Sequence, residues 1–189
     1  MKPKKQSQKK AQIHKANRLY KGRAFSIVAE DVTLPNDSRT EMAFVHHPGS
    51  TAIVPLLDDN TVIMERQYRH PVRDYLFEIP AGTMAPGETG LECAGRELEE
   101  ETGYVAEEFI ELGKVHILPA YSDELIYVYL ARGLTRSVQN LDQDEIIKVV
   151  EYPLDQALQM IATGRITDAL TILALQRAWF YLKDSNRPR

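Results

Sequence analysis

The chain has 189 residues, with 27 acidic against 23 basic side chains and 43 % apolar residues. This is the balance of a soluble globular domain and excludes a collagen-like or wholly disordered chain. No run approaches the roughly 18 apolar residues of a membrane span. The basic N-terminus lacks the apolar segment of a secretory signal. The only cysteine, Cys93, excludes an internal disulfide and a multi-cysteine metal site, and a reducing, cytoplasmic location is expected.

Charge is unevenly spread. Residues 1–24 hold nine Lys/Arg and no acid, and all 27 acids lie at or after Glu30. Residues 1–19 are read as a basic flexible tail. No aromatic precedes Tyr20 and no RNA-binding or zinc signature is present, so a solvated terminus is preferred to a nucleic-acid grip.

From residue 20 the pattern changes. Residues 24–33 alternate Phe25, Ile27 and Ala29 as a strand does. Pro35-Asn36-Asp37 is turn chemistry. Residues 40–46 and 51–57 read as strands joined at Pro48-Gly49. Asp58-Asp59-Asn60 turns the chain into 61–67, so 51–67 reads as a hairpin. Residues 75–79 are a short strand stopped by Pro80. Residues 89–102 are helical, strands follow near 108–117 and 124–131, and a long loop covers 132–145. Two helices, about 153–163 and 167–183, close the chain, with Gly164 just past the first. Mixed strands with helices predict one α/β/α domain, divided as 1–19 tail, 20–50 N-terminal antiparallel strands and 51–189 main domain.

The stretch that carries chemistry is residues 82–104, GTMAPGETGLECAGRELEEETGY. Gly82, Pro86, Gly87 and Gly90 allow a sharp turn before the helix. Within the helix, Glu97, Glu100 and Glu101 stand three and four apart and share a face. Three carboxylates on one face repel one another unless a cation offsets them. Oxygen donors without His or Cys suit Mg²⁺, with Mn²⁺ as the other candidate, rather than zinc. Arg96 is placed to pair with Glu88 or with an acid of the helix.

The same residues resemble the box of the Nudix hydrolases, G-x5-E-x7-R-E-U-x-E-E-x-G-U with U bulky and apolar. Gly82, Glu88, Arg96, Glu97, Glu100, Glu101 and Gly103 occupy every fixed position. Only the last U departs, as the aromatic Tyr104. The resemblance implies the Nudix fold, a mixed sheet between helices, and hydrolysis of a nucleoside diphosphate linked to another group. It also implies metal ligation by Glu97, Glu100, Glu101 and the carbonyl of Ala81, with Glu100 and Arg96 in the catalytic machinery.

Flanking runs narrow the resemblance to ADP-ribose pyrophosphatases. Residues 65–72 (ERQYRHPV) and 78–82 (EIPAG) are similar to the Q-Y-R-x-P-V and E-x-P-A-G runs of that subfamily. Residues 119–124 (PAYSDE) are similar to its S-P-G-[FY]-S-[DT]-E loop, with Ala120 for Gly, and residues 141–147 (LDQDEII) to its D-E-D-E-x-I loop. The resemblance implies substrate contacts by Arg69, Glu78 and Glu124, and a general base at Glu145. Gln143 stands where relatives often carry a second acid, and Met42–His47 lacks an arginine often found there to clamp the base.

The expected reaction is cleavage of ADP-ribose, or a related nucleoside diphosphate sugar, into a nucleoside monophosphate and a sugar phosphate. The alternatives weighed are a GDP-mannose or other nucleoside diphosphate hexose pyrophosphatase, and a binding regulator that has lost hydrolysis. The subfamily resemblance also implies a homodimer through residues 20–50, and neither a membrane nor nucleic acid is an expected partner. His46, His47 and His116 are read as surface or satisfied histidines, Tyr127 and Tyr129 as core, and Cys93 as a packed thiol.

Overall fold

The computed structural model describes residues 9–185. Its strands are β1 (Gln12–Lys21), β2 (Ser26–Thr33), β3 (Arg39–His46), β4 (Ser50–Pro55), β5 (Thr61–Arg69), β6 (Asp74–Glu78), β7 (Ala81–Thr83), β8 (Tyr104–Val115), β9 (Ile126–Arg136) and β10 (Ile147–Pro153). The helices are α1 (Gly90–Thr102), α2 (Leu154–Ala162) and α3 (Ala169–Ser185). The chain divides into two compact units. One runs through His47 and takes in Leu118–Glu124, and the other comprises Pro48–Ile117 and Leu125 onward.

The first unit is an antiparallel sheet in the order β1-β2-β3. Leu118–Glu124 joins it through the amide of Val45, which donates to the carbonyl of Tyr121 at 2.8 Å. Two sequence expectations are corrected here. Residues 12–19, read as part of a flexible tail, belong to β1. Its ten residues are all exposed, so neither burial nor an apolar face marks it, and its order comes from backbone pairing with β2. The remainder of the expected tail, residues 1–8, lies outside the described residues. The segment 118–124, assigned by sequence to the main domain, sits with the first unit, because its backbone pairs with the end of β3.

The second unit holds two sheets, antiparallel β10-β5-β6 and mixed β7-β4-β9-β8, in which β4 and β9 run parallel. Strand parity splits the core in two. Ala52 and Val54 of β4, Val62 and Met64 of β5, and Val128 and Leu130 of β9 pack with Leu154, Ala157 and Met160 of α2 and with Ala174, Leu175 and Ala178 of α3. The alternate residues Ile53, Ile63, Tyr129 and Ala131 pack with Ala94 and Leu98 of α1. Helices thus cover both faces, which is the α/β/α layering expected, and β4 is buried at every residue for this reason. Two strands of this unit escaped the sequence reading, and the start of a third differs. β7 has only three residues. β10 was passed over between loop and helix, although its register with β5 runs from Ile147 opposite Gln67 to Pro153 opposite Thr61. β8 begins at Tyr104, directly after the helix, rather than near 108. Among the described residues no helix is long and apolar enough to cross a membrane.

The boundaries of α1 are set chemically. The Thr89 hydroxyl accepts from the Glu92 amide, and the Glu92 carboxylate accepts from the Thr89 amide at 2.8 Å, which forms a capping box. At the other end Gly103 takes the left-handed conformation, φ 70°, and its N–H donates to the Glu99 carbonyl at 2.8 Å. Thr89→Ala removes the cap without touching the buried face. It should lower unfolding free energy by ~1 kcal/mol, read by urea denaturation, and an unchanged midpoint would show that tertiary packing alone sets where α1 begins.

Candidate active site

Four residues of α1 at helical spacing, Ala94, Glu97, Leu98 and Glu101, are all buried. Two are apolar and pack on β4, β5 and β9, and two are carboxylates on the same inward face. Glu101 is held by the Ala81 amide, which donates to its Oε2 at 2.8 Å. Glu97 lies over Gly82 so closely that a Cβ built there would stand 1.9 Å from its carboxyl carbon. The glycine before the helix therefore makes room for a carboxylate, in addition to easing a turn.

The strand side of the site is pinned by the backbone of 79–81. The Ile79 amide donates to the hydroxyl of Thr171 on α3 at 3.1 Å, and the Pro80 carbonyl accepts from Ile53 at 2.9 Å. Together with the Glu101 contact these bonds fix residues 79–81 between α3, β4 and α1.

Arg96 organises the helix face. Its Nε and Nη2 grip both oxygens of Glu88 at 2.8 and 3.0 Å, its Nη1 donates to Glu97 Oε1 at 2.7 Å and Glu100 Oε2 at 2.9 Å, and Nη2 also reaches the Thr83 carbonyl at 3.2 Å. This ties loop 83–88 to the helix, as the sequence predicted for Glu88. The Arg96 hydrogen bonds hold Glu88 down to about 2. Burial pushes the Cys93 thiol up to about 12, which fits the packed role read from sequence.

The carboxylates facing inward behave oppositely. Burial raises Glu97 against the opposing pull of Arg96. Burial, then the charges of Glu65 and Glu97, raise Glu101 well above the ordinary range. Glu65 of β5 is 1 % exposed. Burial, then the neighbouring charge of Glu78, raise it to about 8. Its Oε1 accepts no hydrogen bond. Glu78, its cross-strand partner, is instead gripped by Arg69, with Nη2 to Oε2 at 2.7 Å and Nε to Oε2 at 3.0 Å. Arg69, Glu78, Ala81, Asp168 and Leu170 line one cleft.

The structure therefore gathers Arg69, Glu78, Ala81, Arg96, Glu97, Glu100 and Glu101 within the second unit. Glu145 lies in the turn before β10, where its carboxylate accepts from the Asp142 amide at 2.8 Å. Its charge acts on Glu65, Glu97 and Glu101. Glu124 lies in the first unit, 3.4 Å from His47. His46 is satisfied by Asp123 at 2.6 Å. Sequence reasoning quoted Glu65 without giving it a role. The available signal was its parity, since it stands two residues past Ile63 on the face of β5 that meets α1.

The donor chemistry fits a hard divalent cation: buried carboxylates with no nitrogen or sulfur donor among them, and one buried oxygen without a partner. Among the described residues no group of three or more His, Cys, Asp or Glu side chains stands close enough together to hold a metal ion without rearrangement. Arg96 takes up part of the negative charge of Glu97 and Glu100.

Comparison with known proteins supplies the family. Residues 46–174 match the NUDIX domain family. The chain is 38 % identical over 164 residues to a methanol dehydrogenase activator of Bacillus methanolicus, covering 86 % of this chain and 89 % of that protein. It is 36 % identical over 160 residues to an ADP-ribose pyrophosphatase of Bacillus subtilis (strain 168), covering 84 % and 86 %. A solved structure described as an ADP compounds hydrolase superposes with a TM-score of 0.82 at 25 % identity, covering 97 % of this chain and all of that one. With the box helix, its glycine loop and the layered sheets all in place, the chain belongs to the Nudix family and is a pyrophosphohydrolase.

Proposed function

We propose that the protein hydrolyses the pyrophosphate bond of ADP-ribose or a related nucleoside diphosphate sugar, giving a nucleoside monophosphate and a sugar phosphate. The observation that carries this reading is the pair of buried carboxylates, Glu97 and Glu101, beside a cleft lined by Arg69 and Glu78. The names of two relatives support the substrate class, an ADP-ribose pyrophosphatase and a GDP-mannose pyrophosphatase of Yersinia enterocolitica, the latter 34 % identical over 140 residues. The GDP-sugar alternative stays in the substrate panel for a specific reason. Arg39, the arginine nearest the apolar run at Met42, is taken by Asp31 at 2.9 and 2.5 Å, which leaves base recognition to other groups. Every fixed residue of the box is intact, which argues against a regulator that has lost hydrolysis.

In this reading Glu97, Glu100, Glu101 and the Ala81 carbonyl hold Mg²⁺, with Mn²⁺ as a substitute. The bound cation supplies positive charge against the phosphate oxygens and makes a nearby water more acidic. The chain does the rest. Arg96 keeps the glutamates and the loop in register. Arg69, aimed by Glu78, offers the remaining N–H groups of its guanidinium to phosphate or ribose oxygens. Glu145 removes a proton from the attacking water, and its turn 142–145 can close on the substrate. Glu124 is assigned to the sugar. The first unit is assigned to a two-fold dimer, since β1 exposes its full length and Ile13, Leu19 and Met42 stand open on that sheet. The expected location is the cytoplasm.

Three measurements test these assignments. A panel of ADP-ribose, GDP-mannose and other nucleoside diphosphate sugars with Mg²⁺, read as phosphate after a coupled phosphatase, should show turnover. In the same assay Glu101→Gln should cost at least about a hundredfold in kcat, since a lost electrostatic contact to the transition state is worth roughly 3 kcal/mol. Glu145→Gln should also lower kcat, with near-wild-type turnover placing the base elsewhere.

Stability should depend on pH in a cation-sensitive way. Glu65, Glu97 and Glu101 are raised in the fold, so the folded protein keeps protons that the unfolded chain loses at the ordinary carboxylate value of 4.5. Metal-free protein should therefore lose stability as pH rises from 4.5 towards 8. Glu88, depressed to about 2, contributes stability above 4.5 that is lost only in acid. Thermal melting in chelator should show the decline between pH 5 and 8 and added Mg²⁺ should flatten it, whereas a flat metal-free profile would contradict the buried-carboxylate account. Light scattering at micromolar protein should give a dimer, and a monomer near 21.5 kDa would remove that assignment.

A further inference from the structure

Glu65 is a buried carboxylate that the proposed mechanism does not use. Its position follows from strand parity. On β5, Ile63 faces α1 and packs with Ala94 and Leu98. Glu65 is the next residue on that face. On α1, Glu97 and Glu101 share the face of Ala94 and Leu98. The strand acid and the two helix acids therefore border the same apolar contact from opposite sides.

Its surroundings do not account for it as a structural residue. Glu78 stands directly across the ladder, where a like charge is unfavourable. Arg69, the nearest cation at the same parity of β5, spends its Nε and Nη2 on Glu78, and the adjacent Arg66 lies over the Tyr75 ring. The Glu65 Oε1 is shielded from solvent and accepts no hydrogen bond among the described residues. A buried acceptor without a partner is unfavourable, and the space would suit the valine, isoleucine and methionine that fill the preceding positions of β5. A carboxylate there is explained by a positive charge that arrives.

We propose that Glu65 is a ligand of the divalent cation, a carboxylate from the strand floor added to those from the helix. The inference rests on the reading of Glu97 and Glu101 as cation-holding residues and extends it to a side chain of β5. A hard divalent cation accepts six or more oxygens, and the helix alone presents its carboxylates from one side. Glu65 would give the cation a carboxylate from the β10-β5-β6 sheet, beside those of α1 and the Ala81 carbonyl of β7.

The test uses Mn²⁺ alone as the probe, with full-length protein stripped by chelator and free Mn²⁺ read by electron paramagnetic resonance, so no turnover is involved. Glu65→Gln should weaken Mn²⁺ binding at least about tenfold. Glu65→Asp keeps the charge but withdraws the carboxylate by one methylene, and it should weaken binding at least about threefold. Smaller changes in either variant overturn direct ligation. Glu97→Gln is the control: if it weakens binding while the Glu65 variants do not, only this proposal falls. If Glu97→Gln has no effect either, the cation reading of α1 falls with it. Should Glu65→Gln fail to fold, Glu65→Met, matched in volume and apolar like its neighbours, is read by the same criterion.

Discussion

Placing carboxylates on the buried face of a helix is the constraint from which the rest of the site follows. Ala94 and Leu98 commit that face of α1 to the sheet, and Glu97 and Glu101 ride on it. A carboxylate taken from water costs several kcal/mol unless it is paired or hydrogen-bonded. Each neighbour answers part of that cost: Arg96 for Glu97, the Ala81 amide for Glu101, and Gly82 by leaving space for the Glu97 side chain. The remaining negative charge is what a divalent cation offsets. The same desolvation that penalises these carboxylates strengthens every electrostatic contact around them.

The layering separates stability from chemistry. One face of the β4, β5 and β9 strands carries Ala52, Val54, Met64, Val128 and Leu130 against α2 and α3, an apolar cluster without an ionisable member. The other face carries α1 and its acids. Ile53 and Val54, adjacent in sequence, therefore serve opposite faces. The two sides are joined at residues 79–81, which are bonded to Thr171, Ile53 and Glu101 at once. Packing on the α3 side thus helps fix the position of backbone that borders the carboxylates.

Arg96 and Arg69 show how two arginines in one neighbourhood divide the work. Arg96 makes five donor contacts to Glu88, Glu97, Glu100 and the Thr83 carbonyl, so it is saturated by its own chain and acts by holding others in place. Arg69 has one partner, Glu78, and its side chain is 44 % exposed at the cleft. Only an arginine with donors left over can address a phosphate or a ribose.

By itself the sequence determined the box helix, the glycine loop, the Arg96–Glu88 link and the acids that share a face. These features are local: the residues that cause them lie within one or two helical turns of those they act on. The alternating β2 and the apolar runs of β4 and β5 were legible for a similar reason. The tertiary structure decided what depends on distant partners. β1 is a strand only because β2 lies beside it, and β10 because β5 does. Residues 118–124 belong to the first unit because Val45 bonds to Tyr121. Gly82 makes room for Glu97, fifteen positions on, where sequence alone suggested a turn. Glu65 reads locally as an acid in a strand, and only the folding of β5 beneath α1 makes it a buried carboxylate whose Oε1 has no hydrogen-bond partner among the described residues. Backbone pairing and burial are set by whatever the chain brings alongside, and no local pattern carries that information.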